Sequence, residues 1–364
     1  VISGVSSRLP DFPWDKLAPA RRRASAHSDG LVDLSIGAPV DSTPVIVQQA
    51  LAAAGDSPGY PLTAGSPELR RSIGDWVAQH CHAESGSFGV LPTIGSKELV
   101  SGLPILLGLG PGDVVVIPSV AYPTYEVGGR LAGAEVVRAD GLVGLGPLRP
   151  AIVWINSPSN PTGRILPVEH LRKVVTWVRE RGALLVSDEC YLECGWDADA
   201  VSVLDPLVCD GSVDRLLAVH SLSKRSNLAG YRAGFVAGDP AVVDELLAVR
   251  KNLGLIVPGP VQVAMRAALG DEKHVATQRE RYMKRRAVLR AALQAAGFRI
   301  EHSQGSLYLW ATRNEACWES VDWLAERGIL VAPGDFYGPA GASYIRVAFT
   351  APDERIESAA TRLS

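Results

Sequence analysis

The stretch Leu216-Leu217-Ala218-Val219-His220-Ser221-Leu222-Ser223-Lys224 sets an apolar run of strand length directly against a serine-rich turn and a lysine. Similar runs recur at 114–118, Glu135–Arg138, Ile152–Asn156, Leu184–Asp188 and 234–237, and they read as strands. Between several of them lie stretches of helical period, such as 125–131 and Val168–Arg181. Strands alternating with helices predict an α/β fold in which a mainly parallel sheet lies between two helical layers.

Further along the chain the pattern changes. A helix is expected over 241–252, Pro258 and Pro260 punctuate the sequence, and a long helix is expected over 273–296. The segments 298–301, 307–311, 329–332 and 344–349 then read as strands, with helices at 316–327 and 353–362. This is an α+β arrangement suited to a smaller second domain. The expected division is an N-terminal segment over 1–43, a large domain over 44–252 and a small domain over 253–364. The early Arg21-Arg22-Arg23 run reads as a helix end or a dimer arm.

The 364 residues are 47% hydrophobic and 21% charged, enough apolar material for a sizeable core. A net charge of −3 provides no general attraction to nucleic acid or an anionic membrane, so small-molecule partners are expected. Five scattered cysteines fit a reducing compartment better than a disulfide framework. Neither His80-Cys81-His82 nor Cys190 with Cys194 has a partner cluster at zinc-like spacing, so no metal is expected. Without a membrane-length apolar run or a signal-peptide pattern, the expected location is the cytoplasm.

Polar residues gather at the C-terminal ends of the expected strands, where open parallel sheets place ligands. Lys224 could be a solvated surface lysine, but a partly desolvated amine there could form an imine with an aldehyde. Ser221, Ser223 and Arg232 beside it would suit a phosphate. Asp188 could cap a helix, or it could keep a pyridinium nitrogen protonated. Asn156-Ser157-Pro158-Ser159-Asn160-Pro161-Thr162-Gly163 is a turn that could also hold the Asn160 amide toward an oxygen of a bound ring. Ser96 and Lys97 open a helix whose free N–H groups suit an anion. Tyr122 could simply pack, or stack on a flat ring. Arg346 lies inside an apolar strand and needs an anionic partner, either an internal carboxylate or that of a substrate.

Taken together and in this order, these segments resemble the class I/II aminotransferases of fold type I, enzymes that use pyridoxal 5′-phosphate (PLP). The resemblance spans nearly the whole chain. It implies that Lys224 is the Schiff-base lysine, that Asp188 pairs with the pyridine nitrogen, and that Asn160 and Tyr191 meet the ring oxygen. Tyr122 would stack on the ring. Ser96, Lys97, Ser221 and Arg232 would hold the phosphate, joined by Tyr60 from a second subunit, so a homodimer with shared sites is implied. Arg346 would grip the substrate α-carboxylate, and the segment containing Gly37 would close over the substrate.

The implied reaction is ping-pong transfer of an amino group from an amino acid to a 2-oxo acid. The wording of 32–41 is most similar to N-succinyldiaminopimelate aminotransferases of lysine synthesis, which implies N-succinyl-LL-2,6-diaminopimelate with 2-oxoglutarate or glutamate. Transaminases of other amino acids, a β-lyase and a cyclopropane-forming synthase would keep the same lysine, aspartate and arginine. A PLP-binding regulatory domain would bring a basic recognition helix, and the sequence offers none ahead of the core.

Overall fold

The computed structural model describes residues 4–364. A short strand β1 (Val32–Asp33) precedes seven strands that form one sheet. These are β2 (Gly89–Ile94), β3 (Val114–Ile117), β4 (Glu135–Arg138), β5 (Ile152–Asn156), β6 (Leu184–Asp188), β7 (Leu216–Ser221) and β8 (Ala233–Gly238). Their order is β2-β8-β7-β6-β5-β3-β4. The five strands from β7 to β4 are parallel, and β8 runs antiparallel to both of its neighbours.

Side chains of the central strands alternate between two cores. Val116, Val153, Ile155, Leu185 and Ala218 face one apolar cluster, while Val115, Trp154, Val186, Leu217 and Val219 face the other. Burial on both faces is what turns these strands into continuous apolar runs rather than alternating ones.

Four further strands, β9 (Arg299–Glu301), β10 (Tyr308–Thr312), β12 (Ala332–Pro333) and β13 (Ile345–Ala348), form a second sheet in the order β12-β13-β10-β9, all antiparallel. The expected strand over 329–332 is divided. Its first half, β11 (Ile329–Leu330), pairs in parallel with β1, and only β12 joins the second sheet. The helix Ala18–Ser25 packs on the helix Cys317–Glu326. Arg21 reaches Asp33 at 2.7 Å and Arg23 pairs with Asp322. Two of the three arginines are therefore paired within the same chain.

The helix Gly259–Leu269 falls where the sequence reading saw only Pro258 and Pro260. Pro260 lies in its first turn, where a missing N–H costs nothing. Ala264, Met265, Ala268 and Leu269 join the core beneath the large sheet, and the helix packs on the helices Val45–Ala53 and Pro67–His80. Among the described residues, no helix is long and apolar enough to cross a membrane.

Candidate active site

Parallel pairing aligns Asn156 with Asp188 and Asp188 with Val219, so the C-terminal ends of β5, β6 and β7 open on one edge of the sheet. Lys224 lies just beyond β7 in the short helix Leu222–Arg225. Ser221 caps this turn, its Oγ accepting the Ser223 N–H at 3.2 Å. The next residue, Arg225, is buried, pairs with Glu193 and Glu272 and donates to the Ala268 carbonyl, so the lysine-bearing turn is anchored from behind. Lys224 is half-buried, and its Nζ donates to the Gly37 carbonyl at 2.6 Å.

Asp188 is buried. Its carboxylate accepts the Tyr125 hydroxyl at 2.7 Å and the Cys190 N–H at 3.2 Å. Burial pushes its pKa above the ordinary carboxylate range, against those two hydrogen bonds and the nearby Lys224 charge. A cation placed at this carboxylate would relieve the cost of keeping it ionised.

Arg346 is 3% exposed, yet it pairs with no carboxylate among the described residues. Nη1 donates to Asn160 Oδ1 at 2.9 Å, Nη2 donates to the Ser35 carbonyl at 2.6 Å, and Nε has no partner. The guanidinium carbon stands 4.1 Å from the Tyr308 ring centre and 5.0 Å from that of Tyr337. A buried cation held only by neutral groups is poised to take an anion.

The Asn160 turn is fixed by Asn156, whose Oδ1 accepts the Asn160 N–H at 2.7 Å while its Nδ2 donates to the Asp188 carbonyl at 2.8 Å. The Tyr191 and Tyr308 hydroxyls lie 2.9 Å apart. Tyr122 is half-buried, its pKa pushed up to about 12 by burial, and its ring meets Tyr125 edge-on. The segment through Gly37 is held at both ends, by Arg346 on Ser35 and by the Asp41 carboxylate on Arg285 at 2.7 Å. A Cβ at Gly37 would lie 2.3 Å from the Tyr308 hydroxyl, so only glycine allows this approach.

Ser96 and Lys97 open the twelve-residue helix Gly95–Leu106. Gly95 has φ +69°, and a Cβ there would meet the Arg232 guanidinium at 2.4 Å. Arg232 and the free N–H groups of that helix thus share one concavity, which suits a phosphate. The Lys97 side chain points to solvent, which limits its contribution to the backbone. Tyr60 is 99% exposed. The structure thus joins Lys224 to Gly37 and Asn160 to Arg346 directly, draws Ser96 and Arg232 around Gly95, and leaves Tyr60 apart.

These residues fit PLP. The buried Asp188 suits a pyridinium, the Gly95 and Arg232 concavity suits its phosphate, and the Lys224 amine suits its aldehyde. Sequence reasoning missed Tyr308 and Tyr337, which lie in apolar context, and Tyr125, whose partner Asp188 is 63 residues away. Only the packing of distant segments brings them in: Tyr308 lies on β10, Tyr125 on the helix Thr124–Ala132 and Tyr337 in the turn Gly334–Tyr337.

Residues 29–363 match the family described as aminotransferase class I and II. The chain is similar to a probable aminotransferase of Mycobacterium tuberculosis, 61% identical over 362 residues that cover 99% of this chain and 87% of that protein. It is also similar to the 4-dedimethylamino-4-oxo-anhydrotetracycline transaminase OxyQ of Streptomyces rimosus, 58% identical over 356 residues, 98% and 99% of the two chains. Among solved structures, a probable N-succinyldiaminopimelate aminotransferase from Thermus thermophilus superposes with a TM-score of 0.85 at 28% identity, covering 97% and 99% of the two chains. The chain belongs to the class I and II aminotransferases, a PLP-dependent family.

Proposed function

We propose that this aminotransferase takes its amino group from a donor whose α-carboxylate is gripped by Arg346. The supporting observation is the buried guanidinium without a carboxylate partner. When bound, PLP supplies the ring that carries the amino group between donor and acceptor and withdraws electrons from the substrate α-carbon. Lys224 Nζ leaves the Gly37 carbonyl and takes the proton from that carbon. Arg346 and Asn160 fix the orientation of the bond to be broken. Asp188 holds positive charge at the far end of the site, and Tyr191 with Asn160 offers donors at its side. Ser96, Ser221, Ser223 and Arg232 would hold the phosphate, with Lys97 contributing through its backbone.

The exposed Tyr60 favours a homodimer in which it completes the partner's phosphate site. The packing of Gly259–Leu269 on the large-sheet core favours a boundary to the small domain beyond that helix rather than at 252/253.

For the substrates we propose N-succinyl-LL-2,6-diaminopimelate with 2-oxoglutarate or glutamate, in ping-pong order. Support comes from the wording of 32–41 and from the Thermus thermophilus neighbour. A second reading, amination of a polycyclic ketone, is favoured by the end-to-end 58% identity with OxyQ. The test is a half-reaction: donors are added singly to the PLP-loaded protein without acceptor, and conversion to pyridoxamine phosphate is followed by absorbance. Conversion by N-succinyl-LL-diaminopimelate supports the first reading. If that compound is inert, and glutamate-loaded enzyme aminates a tetracycline-type ketone, the second replaces it. Lys224→Ala should abolish the visible band and slow turnover at least about 1,000-fold, and a variant with unchanged spectrum and rate would sink both.

A further inference from the structure

Beside the Asn160 turn, lined by none of Lys224, Asp188 or Arg346, lies a cavity of about 270 Å³. Its floor is apolar, made by Val116, Val153 and Ile155 of the large sheet with Leu142, Leu166 and Val174. Its far wall is the Trp310 and Tyr344 pair of the second sheet, stacked with ring centres 5.0 Å apart.

The rim carries Arg164, His170 and His302, which come from three separate segments. Two acids also line the cavity, and one of them, Glu301, is paired with a cation. Asp140 accepts the Ser119 N–H at 2.8 Å, and Glu301 is taken by the Tyr344 hydroxyl at 2.8 Å and by Arg299 at 2.6 Å. The Arg164 side chain forms no ion pair or hydrogen bond among the described residues, and its charge helps to lower the basicity of both histidines, below the main effect of burial. Arg164 is thus a cation without an anionic partner among the described residues at the mouth of an apolar cavity, flanked by two histidines that can donate hydrogen bonds, and a ligand carboxylate would supply that partner. His302 is held at the rim in a left-handed backbone conformation, φ +51°, which is uncommon outside glycine.

We propose that this cavity is an effector site for an amphipathic monocarboxylate, an aromatic or branched hydrocarbon body carrying one carboxylate, and that its occupancy is felt at Arg346. The body lies on the apolar floor against Trp310, and the carboxylate meets Arg164 with the two histidines. Two contacts carry the coupling. Asn156, Ser159 and Thr162 line the inner end, and they flank the residue that bonds Arg346. Trp310 is also the cross-strand partner of Arg346. A ligand in the cavity therefore presses from behind on both groups that orient the donor carboxylate.

The experiment uses PLP-loaded protein, 2-naphthoate as the probe and the uncharged 2-naphthamide as its control, followed by calorimetry and by donor kinetics. Calorimetry needs no turnover, so it reads this site whether or not the proposed substrates are correct. The expected result is one saturable naphthoate site per chain, weakened at least tenfold by Arg164→Glu and by Leu142→Trp. Naphthamide should bind at least tenfold more weakly. The donor KM should shift at least threefold in the native protein and not in Arg164→Glu. Arg164 is exposed, so its variant is expected to fold and to keep its basal activity. Equal binding by both variants, equal binding of acid and amide, or binding without a KM shift would each overturn the proposal. A KM shift that persists in Arg164→Glu would also overturn it, because the probe would then be acting at the active site.

Discussion

Arg346 Nη1 meets Asn160 Oδ1 at 2.9 Å across 186 residues of sequence, joining the second sheet to the turn that follows β5. This bond fixes the guanidinium fork while leaving it without an anion, and it links substrate recognition to the geometry of the Asn160 turn.

Arg346→Lys keeps the charge but loses the fork, whereas Arg346→Met loses both. In the half-reaction, efficiency per unit donor concentration should fall about tenfold for the lysine variant. It should fall about 100-fold or more for the methionine variant, within the range for breaking a buried charge-assisted pair. Stopped-flow absorbance measures both, and equal rates across the three proteins would remove Arg346 from donor binding.

Gly95 combines φ +69° with the close approach of Arg232. Gly95→Ala should force the guanidinium aside and strain the helix start. PLP affinity, measured by titrating the apoprotein, should fall about tenfold. Far-UV circular dichroism should stay unchanged, because the substitution alters only the first residue of one helix. Undiminished affinity would show that the Gly95 and Arg232 concavity does not hold the phosphate.

Glu189 and His220 form a buried pair behind β6 and β7, with carboxylate oxygen and Nε2 3.7 Å apart. Burial raises the pKa of Glu189 to about 7 and lowers that of His220 to about 3. Between about pH 4.5 and 6.5 the folded pair holds one proton, on Glu189, and the unfolded pair also holds one, on the histidine. The two linkages therefore oppose one another. Glu189, raised on folding, makes stability fall as pH rises, while His220, depressed on folding, makes stability fall as pH drops. Glu189→Gln leaves only the histidine. Its stability relative to the native protein should climb between about pH 4.5 and 7, by at most about 1.4 kcal/mol per pH unit. Urea denaturation at several pH values reads this difference, and a flat difference curve would mean that Glu189 is ionised in the folded protein.

Much of the large sheet was legible because its strands are buried on both faces and punctuated by polar turns, so each apolar run ends where a ligand edge begins. Lys224, Asp188 and Asn160 stood out because polar groups at those ends are conspicuous against their apolar runs, and Arg346 because it is a charge inside one. The helix Gly259–Leu269 was hidden because prolines read as breakers wherever they fall, whereas only their position within a turn decides their effect. The division of 329–332 into β11 and β12 was equally invisible, since both halves are apolar and only their pairing partners differ. The sequence by itself determined the alternation of elements and the kinds of chemical group at the sheet edge, because these depend on local period and composition. Only the tertiary structure decided that Gly37 meets Lys224, that Tyr308 supports both Tyr191 and Arg346, and that Arg346 lacks a carboxylate partner. Those are contacts between distant segments, set by how the two sheets pack, and no local pattern encodes them.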